Sequence, residues 1–330
     1  ALQMKVSAAY LTDPGFRPEA AQRWANMVPV MDKQFDSEPE AVYATRVQAA
    51  LMGGDMRFGA PPAATLLQRN FAEARATLGP LAATAPIEIG IVGDVDEEAA
   101  IKAVADSFGA LPPRATAAPA YLEARRAALR GDRSPIEMSH YGNPDKALVA
   151  VLWPTDDDDD YRRVIAMSML AKALDLVLTE KIREELGASY GVTVGSNMSN
   201  IYDRFGTFGV STVVAPGKIA EIEQAIDAAV AELRAKPVSE DLFQRARAPM
   251  LEALIKSRRE NSYWMSVADE AQGKADRLDR FRQQEALFKA VTPAELHQLA
   301  RTYLTPDTLR RVRIRRAPIV TLKPLASIKR

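Results

Sequence analysis

The sequence predicts two α+β domains, each built from a β-sheet with helices packed against one face. Its 330 residues suffice for about two domains, and 47% hydrophobic residues suffice for their cores. Strand-rich and helix-rich blocks occur in both parts of the chain, which is typical of α+β proteins. Residues 111–135 are rich in Pro, Ala and Arg, which indicates a connecting segment. We therefore place the domains at residues 1–115 and 116–330.

The first part is predicted to carry two strands and several helices. Residues 2–10 resemble a strand, and residues 87–93 form a clearer one. Helical spacing predicts helices over residues 18–33, 39–52 and 64–78. Asp94 is expected to cap a further helix, with Glu97 in the reciprocal capping-box position.

The second part is predicted to open with a hairpin-like pair of strands around a turn at Gly142. These two strands are expected at residues 136–141 and 147–153. A later strand, residues 203–214, should lie antiparallel to one that starts near Tyr190. Further elements are helices at residues 161–186, 218–235, 239–259, 280–290 and 293–303, and a last strand at residues 309–315.

The helix over residues 161–186 is the most regular of these elements. One face should be buried, because apolar side chains recur at a spacing of three to four at Met167, Leu170, Leu174, Leu178, Ile182 and Leu186. Gly187 follows where a left-handed C-cap residue is expected, so the helix should end at Leu186.

Arg183 and Tyr190 both lie at the junction between this helix and the next strand. Arg183 is in the last helical turn and Tyr190 opens the strand, so the two side chains could point together at one ligand. A capping arginine exposed to solvent and a tyrosine packed on a sheet explain the same residues without any ligand. The residues alone leave both explanations open.

Composition excludes several classes of protein. The chain has 43 basic and 43 acidic residues, so its total charge indicates no nucleic-acid or acidic-lipid partner. It has no cysteine, which excludes disulfides, thiolate nucleophiles and cysteine zinc sites. No apolar run of about 18 residues predicts a membrane span. The N-terminus carries no secretory signal pattern, and it resembles an interior cut in a longer polypeptide.

Two groups of acidic residues were considered as cation sites. Asp94 and Asp96 follow the strand at residues 87–93, where helix capping and a solvated turn explain them better. The run from Asp156 to Asp160 lacks the glycine and glutamate of an EF-hand, and acidic residues are favoured before a helix by its dipole. We therefore expect no metal at either place.

Histidine gives no zinc motif. The two histidines, His140 and His297, lie far apart in the chain and in unrelated contexts. Each is predicted to be a surface residue of a strand or helix. A mixed site of one histidine with carboxylates stays open on sequence grounds, although nothing in the spacing favours it.

The junction residues Arg183-Glu-Glu-Leu-Gly-Ala-Ser-Tyr190-Gly-Val resemble the Arg/Tyr element of insulinase and pitrilysin type zinc metallopeptidases, the inverzincins. The resemblance lies with the C-terminal half of those enzymes. It extends in the same order over nearly the whole chain, through the segments at residues 91–96, 108–112, 147–153, 205–208 and 237–240.

The resemblance implies a protein of two halves that close like a clamshell over an unfolded peptide, with zinc in the first half. Each half would have two similar α+β domains with mainly antiparallel sheets. Residues 1–115 would then be a partial domain lacking its opening strands, and residues 116–330 a complete domain. The family's zinc site needs HxxEH, which this sequence lacks, so no metal is expected in this chain.

The function implied is that of a C-terminal half, inactive alone, of a metalloendopeptidase that cleaves short or unfolded peptides. Arg183 and Tyr190 would contact the substrate and the transition state, and the partner would be a zinc-binding N-terminal half on the same or another polypeptide. The alternative is a non-catalytic scaffold or binding protein of the same fold. Relatives of this kind favour the periplasm over the cytoplasm.

Overall fold

The computed structural model describes residues 2–117, 121–186 and 191–318, and of residues 183–186 it describes the backbone only. Helices form the described part of the chain up to residue 117. They are α1 (Leu2–Thr12), α2 (Pro18–Phe35), α3 (Pro39–Val42), a π-turn (Tyr43–Val47), α4 (Gln48–Leu51), α5 (Ala63–Gln68), α6 (Phe71–Thr84) and α7 (Glu97–Ala105), with short 3-10 turns at Met56–Phe58 and Phe108–Ala110.

Both strands expected in this part are wrong. Residues 2–10 lie in α1, where Leu, Gln, Met, Lys and Ala are good helix formers. Residues 87–93 have a strand-like sequence, but they form no strand, since no other segment among the described residues pairs with them. A lone segment cannot satisfy its backbone groups as a strand does.

The other helices of this part differ from expectation only in detail. The helix expected at residues 64–78 is divided between α5 and α6, because Asn70 caps α6 by accepting a hydrogen bond from the Glu73 amide at 3.0 Å. The cap of α7 is Asp96 and not Asp94. Its carboxylate accepts from the Ala99 amide at 2.7 Å, two residues further along than expected.

The second part contains one five-stranded mixed sheet. Its strands are β1 (Ile136–His140), β2 (Ala147–Thr155), β3 (Val192–Met198), β4 (Gly206–Val214) and β5 (Arg310–Arg316), in the spatial order β1-β5-β2-β4-β3. The β1–β5 pair is parallel and the other pairs are antiparallel. The antiparallel pairing expected between the strands on either side of residues 199–205 is confirmed.

The hairpin-like pairing expected for the first two strands of this part is wrong. β5 lies between β1 and β2, with Ile136 opposite Val312 on one side and Ala150 opposite Val312 on the other. The connection through Gly142 therefore joins two strands that are not neighbours in the sheet. A Cβ at Gly142 would collide with the Ser37 carbonyl oxygen, so this turn approaches the first part closely.

Six helices follow or interrupt the strands. They are α8 (Tyr161–Leu186), α9 (Ile219–Ala235), α10 (Glu240–Ser257), α11 (Asn261–Ala268), α12 (Arg277–Ala290) and α13 (Pro293–Tyr303), with a 3-10 turn at Pro216–Lys218. α11 was not expected. Thr292 caps α13 by accepting from the Glu295 amide at 3.2 Å, as the capping pattern predicted, while the Glu295 carboxylate binds Arg162 instead of closing the box.

Both faces of the sheet are covered, although unequally. The larger core lies between one face and the helices of the second part, with α8 at its centre. The smaller core lies on the opposite face, where the segment from α3 to α4 covers β1, β5 and β2. The expectation of helices on a single face is therefore wrong for this end of the sheet.

The α+β class and the mainly antiparallel sheet are confirmed. The described residues contain one sheet and thus a single α+β domain, where two were expected, and residues 2–117 contribute no strand to it. The boundary between residues 115 and 116 stays a prediction. None of the helices that the structure describes has the length and apolar character needed to cross a membrane.

Candidate functional site

The helix α8 brings the predicted junction to the edge of the sheet. Asp160 starts the helix by accepting a hydrogen bond from the Arg163 amide at 3.1 Å. The expected apolar face is buried, with Leu170, Leu174 and Leu178 each 0% exposed. This face packs on the sheet in the larger core, which fixes the axis of α8 beside β3.

α8 is described as far as Leu186, so its end there, before the expected C-cap at Gly187, stays a prediction. Arg183 lies in the last described turn of α8, but its side chain lies outside the described residues, as do Gly187 and Tyr190. The chain is described again from Gly191 and enters β3 at Val192. The backbone of Arg183 and the start of β3 are thus placed on either side of the predicted junction, and the meeting of the two side chains stays a prediction.

β3 is an edge strand with an open second side. It pairs with β4 residue by residue, from Val192 opposite Thr212 to Met198 opposite Gly206, and no other described strand pairs with it. Its side chains alternate, with half-buried residues toward α8 and exposed Thr193, Gly195 and Asn197 on the other face. The strand therefore has unpaired backbone groups along its outer edge.

Gly195 stands in the middle of this strand, opposite Gly209. A Cβ at Gly195 would meet no atom within 4 Å, so the packing of the chain itself does not require glycine there. A glycine within a strand often marks a place where another backbone or a ligand approaches.

A groove of about 420 Å³ runs between α8 and β3. Ser168, Lys172 and Asp175 line it from α8, Met250 lines it from α10, and residues 192–196 form its other wall. The Lys172 ammonium binds the Asp175 carboxylate at 2.7 Å, so the charges at this wall balance each other. The Ser196 hydroxyl also lines the groove, and it is buried without a hydrogen-bond partner.

The acidic run before α8 anchors the far end of the β3–β4 hairpin. The Asp157 carboxylate accepts a hydrogen bond from the Arg204 amide at 2.5 Å, and the Asp158 amide donates to the Ser199 carbonyl at 3.1 Å. Asp156 accepts from the Tyr303 hydroxyl at 2.6 Å. Burial and this hydrogen bond raise the pKa of Tyr303 to about 12. The Asp156 and Asp157 carboxylates therefore have structural partners outside α8, and the expected role at the start of the helix is shown only for Asp160.

The histidines are bound to backbone groups. His140 is fully buried, which corrects the expectation of a surface residue, and its ring accepts from the Gly142 amide at 3.2 Å and binds the Lys146 carbonyl at 2.9 Å. His297 is half-buried and binds the Arg234 carbonyl at 3.0 Å. No group of three or more histidine or carboxylate side chains suited to a metal ion occurs among the described residues, so those residues do not fit a zinc site.

The groove and the open edge were not predicted from the sequence. Lys172, Asp175 and Met250 looked like ordinary helix residues, and the groove exists only because α8 and α10 meet beside β3. The sequence does carry one indication of an open edge, because β3 has neither a charged residue nor a proline. Its significance depends on the position of β3 at the edge, which the order of strands along the chain does not reveal.

Comparison with solved structures shows a shared fold at low sequence identity. The periplasmic protease PqqL from Escherichia coli matches with a TM-score of 0.69 and 18% identity over 89% of this chain. The match covers 33% of PqqL, so the chain spans about a third of that protein. A protease from Helicobacter pylori matches with a TM-score of 0.76 and 13% identity, covering 95% of this chain and 76% of the other.

A third solved structure is described as a peptidase M16 inactive domain, from Pseudomonas fluorescens. It has a TM-score of 0.73 and 17% identity, and the match covers 98% of this chain and 76% of that one. None of the curated proteins compared with the sequence matches it significantly.

The sequence itself matches a family profile. The profile is that of the peptidase M16 inactive domain, and it covers residues 85–250, just over half of the chain. The match includes α8, the junction and the β3–β4 hairpin. The chain therefore belongs to the peptidase M16, or insulinase, family, and the matched region is the inactive C-terminal domain of that family.

Proposed function

We propose that this chain is the non-zinc half of a zinc metallopeptidase that cleaves short or unfolded peptides. It supplies contacts to the peptide, and it is inactive without a zinc-binding partner half on the same or another polypeptide. The observation that carries the proposal is that α8 leads, through the predicted junction, to β3, an edge strand that pairs with β4 alone among the described strands.

Arg183 and Tyr190 have the main chemical role in this proposal. A guanidinium and a phenol both donate hydrogen bonds, and they can stabilise the negative charge that develops on a peptide carbonyl oxygen during hydrolysis. Zinc chemistry belongs to the partner half, since the described residues of this chain do not fit a metal site. The peptide would lie along the junction, between this chain and its partner.

Residues 1–115 form part of a second, similar α+β domain in this proposal. The supporting observation is the Pro-, Ala- and Arg-rich segment at residues 111–135, whose composition is typical of a connection between domains. Export to the periplasm is also proposed, because the similar protein PqqL is a periplasmic protease. Fractionation of cells that produce the parent protein would test the location.

A non-catalytic scaffold or binding protein of the same fold is the second candidate. The family's description of this domain as inactive favours it. A scaffold would keep the fold and the open edge, but it would be indifferent to loss of the Arg183 and Tyr190 donors.

The test is hydrolysis of a quenched fluorescent peptide by this chain, by the zinc half, and by the two mixed with zinc. We expect activity only in the mixture. Arg183→Ala and Tyr190→Phe should each lower kcat by roughly 100-fold, the usual effect of removing one donor to a developing oxyanion. Arg259→Ala and Tyr141→Phe are matched controls at exposed positions, and they should leave kcat unchanged.

Each other outcome has a definite meaning. Activity of this chain alone would contradict the division of labour between the halves. If kcat of the mixture were unchanged by both substitutions, Arg183 and Tyr190 would not have the role assigned to them. No activity under any condition would favour the scaffold.

A further inference from the structure

The outer edge of β3 lacks the features that usually protect an edge strand. Natural proteins block such edges with charges, proline, bulges or short strands, because an unpaired edge invites another strand to bind. β3 has seven residues, Val-Thr-Val-Gly-Ser-Asn-Met, with no charge and no proline. Its one-to-one register with β4 contains no bulge.

The opposite edge of the same sheet is protected. β1 has five residues, and Glu137 on it binds Arg313 at 3.1 Å and Arg315 at 2.5 Å on β5. Just beyond the strand, the Tyr141 amide donates to the Asp36 carbonyl at 2.9 Å. The sheet therefore has one short, charged edge strand and one longer, uncharged edge strand. The uncharged edge, which we call the open edge, follows α8, the helix that carries Arg183.

The groove between α8 and β3 lies where alternate side chains of an added strand would project. Side chains of a strand alternate between the two faces of its sheet, so every second residue of such a peptide points toward α8. The groove there offers the Met250 thioether, the unpartnered Ser196 hydroxyl and the mutually neutralised Lys172 and Asp175. A charged peptide side chain would lose water without gaining an unpaired opposite charge.

We propose that β3 binds an extended, uncharged peptide segment as an additional strand, with alternate uncharged side chains of the peptide in the α8–β3 groove. The inference rests on the proposed function for the identity of the peptide as substrate. It adds a substrate class, namely peptides with an uncharged stretch of strand-forming residues next to the contacted bond. Peptide-strand addition to a sheet edge obtains affinity from the backbone and selectivity from alternate side chains.

The direct test uses the whole chain and a capped seven-residue peptide of alternating Thr and Val, matched in length to β3. Binding is measured by fluorescence anisotropy with a series of peptides that each carry one N-methylated residue. Backbone hydrogen bonds of an added strand involve every second peptide residue. We therefore expect methylation to weaken binding about tenfold or more at alternate positions and to change little at the positions between.

Variants of the protein locate the binding. Thr193→Lys places a charge on the exposed face of β3, and Ser139→Lys places the same charge on the exposed face of β1. We expect only the first to weaken peptide binding. Ser168→Leu fills the groove from a half-buried position on α8. It should therefore weaken the binding of peptides with Val side chains more than the binding of peptides with Gly at the same positions.

Some results would overturn the inference. No binding at about millimolar peptide, an equal effect of methylation at every position, or an equal effect of the two lysine variants would each do so. If cleavage depended on Arg183 but N-methylation weakened binding equally at every peptide position, the strand site would be refuted and the proposed function would stand. Alternating methylation effects without cleavage in any mixture would refute the peptidase role and leave the strand site standing.

Discussion

The two edges of the sheet are held in different ways. On the β1 side, arginines of β5 form ion pairs with α9 and with β1. Arg311 binds Asp227 on α9, and Arg313 binds Glu223 on the same helix. Glu137 on β1 binds both Arg313 and Arg315. On the β3 side, no ion pair involves the strand itself, since β3 has no charged residue. α8 holds this side through apolar packing.

The comparison shows that the attachment of an edge strand to the core is independent of its ability to pair with a further strand. Ion pairs across β1 and β5 supply hydrogen bonds and charge that discourage another strand from pairing there. Apolar packing holds β3 from one face, and no other strand of the described part of the chain pairs with the outer backbone groups of β3. An edge can therefore be firmly attached to the core and still be open to a peptide.

The largest expected effect is loss of a buried apolar side chain from α8, the helix that packs beside β3. Leu178 on α8 is 0% exposed, and Leu178→Ala leaves a cavity in the larger core. We expect the free energy of unfolding to fall by about 3 kcal/mol. Hydrogen exchange of the β3 amides should accelerate more than that of the β1 amides, because α8 packs on β3.

Leu278→Ala is the matched control for this change. Leu278 on α12 is 37% exposed, so its truncation should cost well under half as much, about 1 kcal/mol or less. Equal losses for the two variants would show that α8 does not hold the β3 side through this core.

An intermediate effect is expected on the β1 side from Glu223→Ala. Glu223 binds Arg313 through two oxygens at 2.8 Å, and the side chains are 11% and 25% exposed. The hydrogen bond to Glu223 raises the pKa of the Arg313 guanidinium. Without Glu223 the guanidinium stays charged, because arginine is protonated at neutral pH in any case. Since the site is partly exposed and Glu137 remains nearby, we expect a loss of about 2 kcal/mol.

The control for charge is Glu252→Ala. Glu252 binds Lys256 at 2.7 Å on the surface of α10, with side chains 66% and 71% exposed. Chemical denaturation should show little or no change in the free energy of unfolding for this variant, because solvent screens an exposed ion pair. If Glu223→Ala accelerated hydrogen exchange of the β3 amides more than that of the β1 amides, the two edges would not be held in different ways.

Most helices of the second part could be predicted from sequence, because their information is local. α8 shows an apolar face with a period of three to four, and Thr292 before Pro293 shows the start of α13. The order of strands could not be predicted in the same way. β5 comes last in the chain but inserts between β1 and β2, and this pairing depends on long-range contacts that no local pattern records.

The helix that leads to the candidate site was predictable from its apolar spacing, but its surroundings were not. The meeting of Arg183 and Tyr190 stays a prediction, because both side chains lie outside the described residues. The open edge and groove depend on which strand is outermost and on the meeting of α8 with α10. In the first part, residues 87–93 have the composition of a strand without a described partner, so local preference alone gave the wrong element.

The smallest expected effect concerns the far end of the open edge, and it depends on pH. Tyr303 donates to Asp156, whose neighbours Asp157 and Asp158 bind the turn between β3 and β4. Burial raises the pKa of Tyr303 from 10.0 to about 12 in the folded chain, and the bond to Asp156 adds to this shift. The neutral phenol therefore stabilises the fold fully below pH 10, and its contribution is lost as the pH rises toward 12.

Tyr303→Phe removes this pH dependence. The wild-type protein should lose its stability advantage over the variant between about pH 10 and pH 12, measured by urea denaturation at successive pH values. The same substitution at Tyr10, which is 71% exposed, is the matched control and should keep the wild-type slope. If Tyr303→Phe kept that slope too, the Asp156 contact would not anchor the hairpin, and the open edge would depend on α8 alone.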